Sequence, residues 1–328
     1  MEYYFENKNI LITGGLGFLG SNLALELQKR KAIVTVIDNL APLYGGNIFN
    51  LSSSNKDIKI VINDMRNMDI MEPLIEKAHI IYHLGAQVSY IDSLNIPNED
   101  LDLNAKATLN ILECCRKKNP SCRIIFSSSR MVYGKVDALI VNEDSPTNPL
   151  SLYGIHKLTS EKYLLMYYKD FGIPTTILRI ANPFGPRQQI KHSKYSLVGW
   201  FIRQAMEDKE IKIFGEGNQL RDYIFVEDII RAMIICAEKD GANGEVLNVG
   251  SGKSYKFSEM VNEVVSCVNK GSITYVPWPK DYENIETGDV SLDLSKLYSI
   301  TGWKPENTLK EGIKKTYDYY NLNFNNYL

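Results

Sequence analysis

The sequence has no apolar run approaching the roughly 20 residues that span a bilayer, and no long run of either charge. The first absence excludes a transmembrane helix. The second, with a formal net charge of −2 at pH 7, argues against a nucleic acid or an anionic membrane as partner, because both require a basic surface. A small molecule is the expected ligand. The opening residues, Met1-Glu2-Tyr3-Tyr4-Phe5-Glu6, lack the basic and apolar segments of a signal peptide, so a cytoplasmic location is expected. Cysteine is sparse: Cys114, Cys115, Cys122, Cys236 and Cys267 are odd in number, contain no Cys-x-x-Cys pair and have few histidines for company. That pattern indicates neither a disulfide framework nor a zinc site, and no metal is expected. Internal repeats and low-complexity segments are also absent. What remains is 328 residues of ordinary globular composition, enough for one large domain or two joined closely.

The most informative stretch is Asn9 to Gly20, an apolar run ending in Thr13-Gly14-Gly15-Leu16-Gly17-Phe18-Leu19-Gly20 and flowing into a segment of helical spacing. Strand, tight turn and helix are implied. Glycines at 14, 17 and 20 let the backbone turn, approach a pyrophosphate closely and pack helix against strand, with the helix N-terminus facing the phosphate charge. Gly14, Gly17, Phe18, Leu19 and Gly20 are therefore candidate cofactor contacts. A second strand, 32–38, ends in Asp38, 18 positions after Gly20. This is close to the offset of ~20 at which an acid binds the adenosine ribose hydroxyls, and a carboxylate there repels a 2′-phosphate, favouring NAD over NADP. The alternative role for Asp38 is a cap on the next loop.

Further strands are expected at 58–64 and 79–86, both ending where ligands bind in parallel sheets. Asp64 is a candidate for the adenine amino group, and Leu84-Gly85-Ala86 for close passage of the backbone beside the cofactor. His83 reads as structural. A helix over 104–118 precedes a strand at 123–126, which runs into Ser127-Ser128-Ser129, and 136–151 reads as a long surface loop. A helix from about 153 to 171 follows, then a strand at 175–180. Strands alternating with helices imply a doubly wound parallel α/β sheet of the Rossmann kind. From Asn182 onward the shorter segments suggest a smaller C-terminal α+β domain. The expected division is 1–180, with 223–250 returning to it as a helix from Tyr223 and a strand from Glu245, against 181–222 and 251–328.

Tyr153 and Lys157 are four apart and share one helix face. Alone, such a pair is an ordinary surface contact. Beside a dinucleotide turn and a serine at a strand edge, it reads as acid–base machinery: an ammonium one turn away stabilises a phenolate, and Ser129 holds the substrate oxygen.

At this point the chain resembles the extended short-chain dehydrogenase/reductases that act on nucleotide sugars, and within them the UDP-galactose (UDP-glucose) 4-epimerase group. The resemblance covers nearly the whole length. It is carried by the glycine turn, Asp38-Asn39-Leu40, Asp64-Met65, His83-Leu84-Gly85-Ala86-Gln87, Asn104, Ser127 to Gly134, Tyr153 to Lys157, Asn182 to Gln188, Arg221-Asp222-Tyr223 and Gly302-Trp303-Lys304-Pro305. It implies that Asn39, Met65 and Asn104 join the NAD site, that Ser129, Tyr153 and Lys157 form the triad, and that Asn182 and Arg221 contact the nucleotide diphosphate of a UDP-linked sugar. It also implies a homodimer through the helices at 104–118 and 153–171, with Tyr163, Leu164, Tyr167 and Tyr168 as candidates for its apolar face or, equally, for the core. Two positions depart from the family pattern. The 4,6-dehydratases carry an Asp-Glu pair where this chain has Arg130 and Met131, which argues against dehydration. A late phosphate-binding arginine is replaced by Glu286, so either another cation such as Arg187 or Lys191 substitutes or the substrate lies differently. Val290 lies near a position that limits the sugar pocket in some epimerases.

Overall fold

The computed structural model describes residues 3–42, 44–54, 57–136, 138–278 and 288–328. Its first elements are β1 (Asn9–Thr13), α1 (Phe18–Lys29), β2 (Ile33–Asp38), β3 (Ile58–Ile62), α2 (Met68–Lys77) and β4 (Ile80–His83). Then come α3 (Tyr90–Asn95), α4 (Pro97–Leu101), a π-helical turn over Asp102–Lys106, α5 (Ala107–Lys118), β5 (Arg123–Ser129), β6 (Ile140–Val141), α6 (Leu152–Phe171) and β7 (Thr175–Ile180). The remainder holds β8 (Asn182–Phe184), α7 (Leu197–Met206), β9 (Glu210–Phe214), β10 (Leu220–Phe225), α8 (Val226–Glu238) and β11 (Glu245–Val249). It closes with β12 (Ser254–Lys256), α9 (Phe257–Val268), β13 (Ser272–Val276), β14 (Ser291–Leu292), α10 (Ser295–Thr301) and α11 (Leu309–Asn323).

Seven strands form one parallel sheet in the order β11-β7-β5-β4-β1-β2-β3. Parallel strands carry helices on both faces and so read as near-continuous apolar runs; every residue of β7 is buried. In β1 the alternation sends Ile10 and Ile12 into the core shared with α1 and α8, and Leu11 into the opposite core with Ile111, Leu112 and Leu164. The chain leaves β1 towards β2 and β3, then returns to place β4 on its other side. That reversal puts the crevice between the carboxyl ends of β1 and β4.

The strand from Glu245 pairs with β7 at the edge of the main sheet. Three differences from the sequence reading have local causes. Residues Tyr223 to Phe225 are not helical: they belong to β10, which pairs with β8 and β12, and the helix begins at Val226 with Glu227 and Asp228 in its first turn. The 136–151 segment is not all loop, because Ile140 and Val141 pair with Ser291 and Leu292, partners too distant in sequence to anticipate. β4 stops at His83 because the Thr13 hydroxyl accepts the next two backbone N–H groups, from Leu84 at 3.1 Å and Gly85 at 3.0 Å, and so diverts them from the sheet.

Candidate active site

The glycine turn sits at the crevice. Gly14 adopts φ +67°, and a Cβ there would lie 2.8 Å from Gly85 Cα, so the loops after β1 and β4 touch backbone to backbone. Gly20 meets the turn from the helix side: a Cβ would come within 2.3 Å of the Gly14 carbonyl oxygen. α1 starts at Gly17 with no side-chain cap and no acid in its first turn, which keeps its positive end available to an anion. Phe18 and Leu19 open that first turn. Asp38 accepts from the Leu16 N–H at 3.0 Å and the Leu40 N–H at 2.9 Å. Burial pushes its carboxyl up, while the N–H groups of Leu40, Leu16 and Gly17 pull the other way.

Gly14, Gly17, Asp38, Asn39, Asp64, Met65, Leu84 and Ala86 line one cleft. Sequence reading missed several of its other walls, among them Tyr44, Val88 and Leu103. It also missed Arg66, whose fork grips Asp64 at 3.0 and 2.7 Å and reaches Glu99 at 3.0 Å; Asn39 donates to Asp64 as well, at 3.1 Å. The Arg66 hydrogen bond holds the Asp64 carboxyl below its usual range. A ligand at Asp64 therefore meets an already braced carboxylate.

Asn104 lies in the π-helical turn. Its carbonyl takes hydroxyl donors from Thr108 at 3.0 Å and Ser160 at 2.6 Å, and side-chain donors of this kind perturb the helical ladder locally. Its Nδ2 donates to the Gln87 carbonyl at 3.0 Å, which aims the amide at the cofactor loop. The amide oxygen is buried with no hydrogen-bond partner among the described residues, an acceptor position that suits a ligand hydroxyl. With the glycine cradle and Asp38, these residues fit a dinucleotide.

His83 is structural, as expected. Thr13 Oγ1 accepts two backbone N–H groups and so gives its own proton to His83 Nδ1 at 2.9 Å; Nε2–H then donates to Thr108 Oγ1 at 3.0 Å. This fixes the neutral Nε2–H tautomer. Burial, reinforced by Lys157, pulls its pKa down to about 3.

The triad residues meet at the end of β5 and the start of α6. Ser151 caps α6 by accepting from the Gly154 N–H at 3.2 Å, so Tyr153 and Lys157 fall in its first two turns. Tyr153 is 8% exposed and Lys157 2%. Ser129 lies close to the Tyr153 phenol, and its oxygen accepts from the Met131 N–H at 3.2 Å. Burial pushes the phenol up to about 12, the serine acting against it. Lys157 Nζ donates to the Ser127 carbonyl at 3.0 Å and lies 6.0 Å from the Tyr153 ring centre. Burial pulls it down to about 8, opposed by Asp100 and Glu161. The pair shares a helix face as its spacing predicts, with the lysine ammonium over the ring.

The substrate-side candidates divide. Asn182 accepts from Arg130 Nε at 3.1 Å and donates to the Asp222 carbonyl at 2.8 Å, which ties it to the residue after Ser129 and to β10. Arg221, on β10, donates to the Gly288 carbonyl at 2.9 Å. Arg187 does not join them: it donates to Asn22 Oδ1 at 3.0 Å and the Asn50 carbonyl at 3.4 Å, and covers the Tyr319 ring. Its positive φ of 71° and those bonds turn it to α1 and α11, which is why it does not meet the other two. Glu286 lies outside the described residues, and Val290 is buried in the main core. Leu164 and Tyr167 belong to the core beneath α6 and not to an outer face.

Sheet order, cradle and triad together define an NAD-binding enzyme of the Rossmann type. The chain belongs to the NAD dependent epimerase/dehydratase family, whose model matches residues 10–250. It is 31% identical to the UDP-glucose 4-epimerase of Mycolicibacterium smegmatis over 94% of this chain and 97% of that one. It is 30% identical to a UDP-N-acetyl-alpha-D-glucosaminuronate decarboxylase of Bacillus cytotoxicus, over 95% and 98%. Among solved structures, the UDP-glucose 4-epimerase of Thermotoga maritima with UDP-glucose superposes with a TM-score of 0.88 at 31% identity, covering 96% and 99%. The family is one of nucleotide-sugar enzymes and its cofactor is NAD. Among the described residues, no helix is long and apolar enough to cross a membrane and no group of side chains could hold a metal ion.

Proposed function

We propose that the protein interconverts a UDP-hexose or UDP-N-acetylhexosamine with its C4 epimer through a 4-keto sugar. The observation that carries this reading is the buried start of α6, where Tyr153 and Lys157 stand 6.0 Å apart, ring centre to ammonium, with Ser129 close to the phenol, beside the dinucleotide cradle. Ser129 holds the sugar 4-hydroxyl and Tyr153 removes its proton. NAD, when bound, would supply the acceptor and then the donor of the C4 hydride. Lys157 and the cofactor's positive charge favour the phenolate that burial alone disfavours. After the 4-keto sugar turns over, Tyr153 returns the proton to the oxygen. Asn104 and Asp38 accept from ribose hydroxyls, and Gly14 to Gly20 carry the pyrophosphate.

Asn182 and Arg221 hold the nucleotide diphosphate. In this reading residues 1–180 with 223–250 bind NAD, and 181–222 with 251–328 bind the sugar nucleotide. Arg130 and Met131 stand where elimination of water would need a carboxyl pair, so the keto sugar is reduced and not dehydrated. A homodimer through α5 and α6 completes the proposal, with exposed Ile155 and Met166 on α6 as its apolar contacts. An anaerobic assay with UDP-glucose, UDP-galactose and their N-acetyl forms, read by sugar analysis, tests the reaction. Interconversion of one pair without added cofactor turnover is expected; release of NADH with no epimer formed contradicts it.

The decarboxylase similarity favours a second reading, in which the same three residues hold and deprotonate a nucleotide-linked uronic acid at its 4-hydroxyl, with NAD as the oxidant at C4. Release of carbon dioxide from a UDP-uronic acid distinguishes it.

A further inference from the structure

Lys157 is a buried cation that forms no ion pair among the described residues; its ammonium donates to the Ser127 carbonyl at 3.0 Å. A buried charge without a compensating partner is costly. Two carboxylates act on it, Glu161 on α6 and Asp100 on α4. Glu161 is committed elsewhere: both its oxygens take the Arg179 fork, at 3.0 and 2.7 Å, and one also accepts from Ser128 at 2.5 Å.

Asp100 is held differently. It is 0% exposed, one oxygen lies 2.5 Å from His156 Nδ1, and the other accepts from Gln87 Nε2 at 2.9 Å. His156 is the helical neighbour of Lys157. The Gln87 carbonyl accepts from Asn104. One carboxylate therefore ties the catalytic helix to the cofactor loop and to the asparagine beside it.

We propose that Asp100 is a positioning residue for the catalytic pair: held by His156 and Gln87, it fixes the start of α6 against the cofactor loop and supplies the negative charge that balances Lys157. The inference rests on Tyr153 and Lys157 being the catalytic pair. Among the described residues, the titratable groups that act on Lys157 or lie against it are Tyr153 and Glu161 on its own helix, Asp100 on α4 and His83 on β4; His156 and Arg179 stand behind Asp100 and Glu161 as their partners. His83 is neutral, and Arg179 is neutralised by Glu161. Glu99 on α4 is bound to Arg66, and Asp92 on α3 to Lys194 at 2.7 Å. The carboxylate of Asp100 is the charge left to act.

The test is a titration of Lys157 in the NAD-loaded protein by carbon NMR of labelled lysine, the signal being assigned by its loss in Lys157→Met. Asp100→Asn is expected to lower the Lys157 pKa by about one unit, and the alkaline limb of the kcat profile is expected to follow. His156→Gln, which keeps the carboxylate, is expected to titrate with the wild type. If Asp100→Asn does not fold, Asp100→Ser carries the same expectation. An unmoved or raised Lys157 in the uncharged variant overturns the proposal, as does an equal shift in His156→Gln, which would mark a packing effect. Because the NMR readout does not depend on turnover, it stands even if no 4-epimer pair is interconverted, so the two readings fail separately.

Discussion

At the residue scale, the site is a set of polar groups that burial would neutralise and that neighbouring groups hold ready. Tyr153→Phe removes the proposed proton acceptor while leaving the ring in place, and is expected to lower kcat by about 10²- to 10⁴-fold with little change in thermal stability; retained activity would remove Tyr153 from the chemistry. His83 makes a pH prediction of a different kind. Its folded pKa of about 3 lies below the ordinary 6.5, so the unfolded state binds the extra proton between those values. Stability is then full above pH 6.5 and falls as pH drops towards 3. Melting temperatures measured at pH 7 and pH 5 should fall further for the wild type than for His83→Gln, and equal falls would show that the histidine is not the responsible group. These residues were legible in the sequence to different degrees. Ser129, Tyr153 and Lys157 announce themselves by type and spacing, whereas Asp100 and His156 are separated by 56 positions and only the fold brings them together. Arg66, two residues from Asp64, offered a local signal that the reading passed over.

At the scale of elements, two features place the chemistry: the glycine turn between β1 and α1, and the capped start of α6. Gly20→Ala puts a methyl group 2.3 Å from a backbone oxygen of the turn, where no flexible side chain can give way. The turn must open, so NAD retention through gel filtration should fall sharply and the melting temperature should drop; full retention would show that the cradle is not where the cofactor binds. The strands at the crevice were readable because parallel strands are buried on both faces and appear as apolar runs. Their ends were less so, since β4 is cut short by the Thr13 hydroxyl, a contact made across 71 positions. The Tyr223 segment was misread for a related reason: a short apolar run fits helix or strand, and its pairing with β8 decides.

At the scale of the whole molecule, the main sheet carries the cofactor crevice at one edge, and the smaller part of the chain, proposed to hold the sugar nucleotide, is built on β8, β10 and β12. The chain departs from the main sheet after β7 to form β8 and β10, comes back as β11, and leaves again as β12 to complete the β8-β10-β12 sheet. Asn182 and Arg221 lie on the excursion, while Ser129 and Tyr153 lie on the main sheet and its helix. Arg130 bridges the two by its bond to Asn182. The alternation of strands and helices revealed the larger half, but the smaller one rests on short pairings between distant segments, such as β6 with β14 and β9 with β13, which leave little trace in local pattern. The central claim is that the C4 hydrogen leaves and returns within one closed site. It is tested most directly by incubating the protein with UDP-glucose or UDP-N-acetylglucosamine deuterated at C4, in ordinary water, and measuring the label in the product by mass spectrometry. The account predicts the C4 epimer with its deuterium retained at C4. An epimer that has lost the label to solvent, or a labelled substrate that forms no epimer, would contradict it.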